Sequence, residues 1–165
     1  MKVLNKFLML ALIATMFAAC KDDEEEQQPQ IQDVVGTYTG TISIPNLGTN
    51  PNVPIVVTYL AGDTVKLTIA ANAIPLVTAA IDCKCGVSIA NKVYSLNGTT
   101  QVSVTVTVGE EEEEVQIQVP VKIEIKKSES TIANNQATIL INVSSASPQI
   151  PVPGLPLIVT FTGQK

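Results

Sequence analysis

The sequence predicts an all-β fold, an antiparallel up-and-down barrel of about eight to ten strands, with a two-layer β-sandwich as the alternative. Three observations carry this. Apolar and polar residues alternate with period two over most of the chain, Gly/Asn/Pro turn signals recur at short intervals, and no 3.6-residue apolar stripe exists after residue 33.

In chain order, "GTYTGTISI" puts Tyr38, Gly40, Ile42 and Ile44 on one face and Thr37, Thr39, Thr41 and Ser43 on the other. "PNLGTNPNVP" (45–54) reads as an Asn/Pro/Gly loop, and "AGDT" (61–64) as a tight turn before the strand "VKLTIA". Asn97-Gly98 is the residue pair favoured in a type I′ hairpin turn. "QVSVTVTV" and "VQIQVPVKIEI" are regular strands joined by "GEEEEE" (109–114), with Pro120 on the polar side. "KKSESTIANNQ" and "SASPQIPVPG" connect the last strands, "ATILINV" and "LPLIVTFTG". Short links favour a meander, and an open meander would expose two edges that invite aggregation. Pairing the opening strand with the closing one removes both edges.

The N-terminus has its own logic. Lys2 and Lys6 precede an apolar run from Phe7 to Ala19, shorter than the ~20 residues a membrane-spanning helix needs. Residues 1–19 therefore read as a secretory signal peptide. Phe17-Ala18-Ala19-Cys20 resembles a bacterial lipobox, which implies that Cys20 becomes a lipid-bearing N-terminus and the membrane a partner through that lipid. Acyl chains contribute ~0.8 kcal/mol per buried CH₂, so several of them anchor firmly. Residues 20–33, with Asp22-Asp23-Glu24-Glu25-Glu26 and a Gln/Pro stretch, read as an acidic, solvated tether, and residues 34–165 as one domain. The acidic run also resembles the export signal of surface-exposed lipoproteins, which places the protein on the outer membrane or cell surface.

Composition excludes more than it suggests. There is no His, Trp or Arg, and the mature chain has Tyr38, Tyr59, Tyr94 and Phe161 as its aromatic residues. Nucleic-acid binding relies on Arg forks and stacking rings, so no nucleic-acid partner is expected. Without His the usual near-neutral acid/base and imidazole metal ligand are missing, so neither enzyme activity nor a cofactor or metal site is expected. Ten of the fifteen acidic residues lie at 22–26 and 110–114, leaving the body of the domain near neutral.

Gly36-Thr37-Tyr38 on the first strand resembles the Gly-x-Trp opening of lipocalin-type barrels. The wider pattern "VVGTYTG…GDTVKLTI…YSLNG…ATILINV…VTFTG" resembles the calycin-like β-barrel domains of secreted bacterial lipoproteins, over residues 33–163. Tyr38 stands where lipocalins have Trp, and no Arg caps it. The resemblance implies a barrel with one open mouth and an apolar pocket. The inward-facing candidates for a small hydrophobic ligand include Tyr38, Tyr59, Leu67, Val104, Ile117, Ile141 and Phe161.

Cys83-Lys84-Cys85 places two thiols on one strand face, Cα atoms about 6.6 Å apart. A disulfide, inert buried thiols, a shared soft-metal site and a redox pair all remain open at this point. Five consecutive glutamates at 110–114 suit a solvated hairpin tip better than a calcium site. Asp63-Thr64-Val65 resembles a bacterial O-glycosylation acceptor triplet, but the end of a turn is the favoured reading. The expected protein is a non-catalytic, lipid-anchored β-domain that binds a small hydrophobic ligand or a protein partner. The alternative is a structural or adhesive β-sandwich of a surface complex, to which the proline-rich 148–157 segment would contribute a contact.

Overall fold

A computed structural model describes residues 30–108, 115–147 and 152–165. The predicted signal peptide, Cys20, the acidic run at 22–26, the glutamates at 110–114 and residues 148–151 of the proline-rich segment lie outside the described residues.

Residues Ile31–Val34 form a single 3₁₀ turn, closed by a bond from the Gln30 amide to Asp33 Oδ2 at 2.9 Å. Nine strands follow: β1 (Gly36–Ile44), β2 (Gly48–Ala61), β3 (Thr64–Ile69), β4 (Ile81–Ala90), β5 (Val93–Val108), β6 (Val115–Ile125), β7 (Thr131–Ala133), β8 (Gln136–Ser145) and β9 (Leu157–Gln164). All their pairings are antiparallel. The alternation explains them: in β3 and β4 the side chains Val65, Leu67, Ile69, Ile81, Cys83 and Cys85 turn inward and are buried.

The opening and closing strands do pair, Thr39–Ser43 against Gln164–Thr160. Gly40 sits directly opposite Gly163, and a Cβ on Gly40 would lie 2.2 Å from the Thr162 carbonyl oxygen. Only glycine lets these two backbones approach so closely.

The chain nonetheless departs from a calycin-like up-and-down barrel. Hydrogen bonds run round a ring, β1–β2–β3–β4–β5–β6–β8–β9 and back to β1. At two junctions that ring is incomplete. β4 meets β5 through Cys85–Ala90 alone, so β4 from Ile81 to Lys84 and β5 beyond Gly98 separate. β6 meets β8 over Val121–Ile125, with one further bond from the Ala146 amide to the Pro120 carbonyl at 3.1 Å, and among the described residues Val115–Val119 pair with β5 alone. The outer halves of β5 and β6 therefore form a two-stranded arm whose inner face packs on the core through Val104 and Val119, and short β7 wedges between β5 and β8 in line with β6. The result is a flattened, sandwich-like all-β domain whose two halves share one apolar core. The physical reason is length. A 16-residue β5 is too long to keep a single neighbour on each side, so it passes from one set of partners to another.

Two turn expectations also fail. Asn97-Gly98 lies inside β5, whereas the β4–β5 turn is Asn91-Lys92, with φ of 51° and 61°. The predicted 45–54 loop shrinks to 45–47, because a bulge opposite Thr41 takes up Pro51 and Asn52 and β2 continues. Where β6 ends, buried Ser130 stands in for a missing ladder partner. Its hydroxyl accepts from the Leu140 amide at 3.0 Å, and its carbonyl accepts from the Leu96 amide at 2.9 Å.

The strand directions give the domain two ends. The N-terminal end gathers the 3₁₀ turn, the turns at 62–63, 91–92 and 134–135, and Lys165. Among the described residues, the far end carries the connection 45–47, the connection 70–80, and residues 146–147 and 152–156 of the last one.

Candidate functional site

Of the residues expected to line a ligand cavity, Tyr38, Leu67, Ile141 and Phe161 are wholly buried, and Val104 nearly so. They belong to one contiguous core of short aliphatics and pack against it. The Tyr38 hydroxyl points out of the apolar core and donates to the Val34 carbonyl at 3.0 Å. Tyr59 and Ile117 are not brought to that cluster; they are 43% and 38% exposed. Tyr59 faces the same way as its register partner Val65, but at the strand end, next to a register shift. Ile117 lies on the two-stranded arm of β5 and β6.

Cys83 and Cys85 are free thiols, both buried. They share one inward face beneath Gly98, where an added Cβ would sit 2.9 Å from Cys83 Sγ and 2.8 Å from Cys85 Sγ. The Cys85 thiol contacts the Cys83 carbonyl at 3.6 Å. Its pKa is pushed far up by the hydrogen bond with the Cys83 thiol and then by burial, so it stays protonated at neutral pH. Among the described residues no three His, Cys, Asp or Glu side chains gather in a way that would hold a metal ion.

At the N-terminal end the chain's two termini are clasped. Tyr94 donates to Asp33 Oδ2 at 2.5 Å, and the Lys165 amide donates to the Asn135 carbonyl at 2.9 Å. The Tyr94 hydroxyl holds the Asp33 carboxyl below its usual pKa, helped by the Gln30 amide. Tyr94 is itself pushed up to about 12, by burial first and then by that bond. Beside the clasp lies a surface concavity of about 510 Å³ that includes Asn134 and Ile132.

A larger concavity, about 1060 Å³, opens on the outer face of β3, β4, β5 and β6. Register puts Thr64, Gly86 and Asn97 side by side across three strands, with Thr99 and Glu124 paired one step along. Lys84, Lys126 and Lys127 stand round it. Sequence reading missed this groove because its residues come from four separate segments. They meet only if Asn97-Gly98 is strand rather than turn. The spaced lysines carried no signal by themselves.

At the far end, Leu47 and Leu76 are 62% and 48% exposed. A Cβ on Gly154 would come 3.0 Å from Leu76 Cδ1, so the 70–80 and 146–156 connections meet there. Among the described residues, none of the far-end connections contains a lysine.

No protein-family model and no curated protein matches the chain. Among solved structures, a crystal structure described as a "putative outer membrane protein" from Bacteroides fragilis superposes with a TM-score of 0.47 at 17% identity. The match covers 81% of this chain and 52% of that one, so this chain spans about half the length of that protein. The resemblance to lipocalin-type barrels does not extend to kinship: the strand pairing lacks the closed barrel and no family model supports it.

Proposed function

We propose that the protein is a non-catalytic structural or adhesive module, anchored in the outer membrane by a lipid on Cys20, that presents its far end to a protein partner. The observation that carries the reading is the placement of exposed Leu47 and Leu76 at the end opposite the chain's N-terminal entry. Large apolar side chains held in water at one end of the domain are suited to a contact surface. The core supports the same reading, since its inward positions are occupied by the protein's own side chains. The partner is a protein surface with an apolar centre that matches exposed Leu47 and Leu76. A tether from Cys20 to Gln30, where the 3₁₀ turn begins, reaches at most ~35 Å at 3.3–3.6 Å per residue, enough to lift the domain clear of the headgroups.

The test is chemical cross-linking on intact cells followed by pull-down of the full-length protein. Leu47→Asp with Leu76→Asp should leave the circular dichroism spectrum and thermal midpoint unchanged, since both residues are exposed. The cross-linked partner band should be lost. Retention of the band by the folded double variant would overturn the docking assignment. Metabolic labelling with a radioactive fatty acid checks the anchor separately: label should enter the wild type and be absent from Cys20→Ala.

A further inference from the structure

We propose that the groove over β3–β6 is a binding site for a phosphorylated or sulfated saccharide. Its charge is unspent. Lys66 pairs with Asp82 at 4.0 Å and Lys122 with Glu124 at 3.5 Å, whereas Lys84, Lys126 and Lys127 have no carboxylate partner among the described residues. The single carboxylate lining the groove, Glu124, is the one that Lys122 already neutralises in part. Three ammonium groups round one concavity match a compact polyanion, which lysine binds as a point charge.

The remaining lining specifies what carries the anion. Thr64, Ser95, Asn97, Thr99 and Ser128 line the groove, and none of their side chains is hydrogen-bonded to another described residue. Hydroxyls and an amide in that number suit a ligand rich in hydroxyls of its own. Ile125 is the one large apolar residue of the lining, and it is buried. No ring is present to stack on a base, and no apolar wall to receive an acyl chain. The floor is backbone: Gly86 occupies an outward position in the row Thr64–Gly86–Asn97, and any side chain there would fill the middle of the groove. A volume of about 1060 Å³ lies at the upper end of small-ligand sites, room for one or two sugar rings.

The same chemistry is offered by a soluble or capsular sugar phosphate and by the phosphorylated sugar headgroup of a glycolipid. Isothermal titration calorimetry on the folded chain would use glucose 6-phosphate, a sulfated glycosaminoglycan disaccharide, inorganic phosphate, and phosphatidylcholine vesicles with and without lipid A. Expected are binding of at least one sugar anion, inorganic phosphate weaker by tenfold or more, and a tenfold or greater loss in the Lys84→Gln/Lys126→Gln variant. Gly86→Leu should abolish binding, while Lys66→Gln, outside the groove, should leave it within twofold. Binding to lipid A vesicles but to no soluble sugar assigns the headgroup as the source; the reverse assigns the free saccharide. Absence of binding to every probe would overturn the proposal. So would equal affinity for inorganic phosphate, or indifference to Lys84→Gln/Lys126→Gln and Gly86→Leu in variants with unchanged circular dichroism.

Discussion

Tyr94 and Asp33 show how two side chains far apart in sequence fix where the domain begins. The 2.5 Å bond ties the 3₁₀ turn to β5 just after the Asn91-Lys92 turn. Both groups are shifted in the direction that keeps the bond: Asp33 stays ionised and Tyr94 stays protonated. Tyr94, raised to about 12 from an ordinary value near 10, binds its proton more tightly in the folded chain. Its contribution to stability is complete below the unfolded value and fades as pH rises through the folded one. Asp33, lowered, contributes above its unfolded value and loses that contribution as pH falls through the folded one. Tyr94→Phe should thus lower stability by about 1 kcal/mol at neutral pH, discounted because Asp33 is exposed. It should also flatten the alkaline limb of a plot of urea midpoint against pH. Tyr38, raised by burial, keeps part of that limb in the variant. An alkaline limb of the same slope in Tyr94→Phe would mean that the bond does not form.

At the scale of elements, glycine and asparagine decide which turns exist. Gly98 is fixed by neighbours rather than by a turn: its missing Cβ leaves room for the Lys84 carbonyl oxygen at 2.5 Å and for both thiols. Gly98→Ala should therefore destabilise by ~1–3 kcal/mol, the cost of overpacking a filled core. Asn135→Gly should be neutral or stabilising by a few tenths of a kcal/mol, because Asn134 and Asn135 hold φ of 49° and 62° in a true hairpin turn. Chemical denaturation of the two variants checks the contrast, and an unchanged midpoint in Gly98→Ala would mean that its neighbours leave room for a side chain. The same pair of positions shows what was legible in the sequence. Period-two patterning located β1, β3, β6 and β8 closely, since a half-buried strand writes its burial into alternate residues. It could not say that Asn-Gly would be overridden, because the reason lies in Cys83 and Cys85 on the neighbouring strand. Nor could it reveal three-residue β7, where Ile132 alone is buried among polar neighbours. The groove was hidden for the same reason as the turn: register across β3, β4, β5 and β6 is a tertiary fact. The N-terminal reading is of another kind, resting on a local motif that needs no fold.

For the whole molecule, the open junctions predict an uneven distribution of stability. β1, β8 and β9 are bonded on both sides over much of their length, and Gly40 against Gly163 brings the first and last strands into tight register. The arm is different. Among the described residues, β5 from Thr99 to Val108 pairs with β6 alone and β6 from Val115 to Val119 with β5 alone; Pro120 also accepts from the Ala146 amide. A two-stranded ribbon is marginal in water unless an apolar face is covered. Here Val104 and Val119 are buried, but Ile117 is exposed. Local opening should consequently begin at the arm, whose free edges lose no hydrogen bonds to a third strand. Native-state hydrogen exchange followed residue by residue would show amides of 99–106 and 116–119 exchanging at least a hundredfold faster than those of β9, with the change in protection falling at Gly98 on β5 and at Val121 on β6. Protection continuing undiminished along β5 to Val106 would require β4 to follow it. That in turn would close the seam into the full barrel that the pairing of Cys85 with Gly98 rules out.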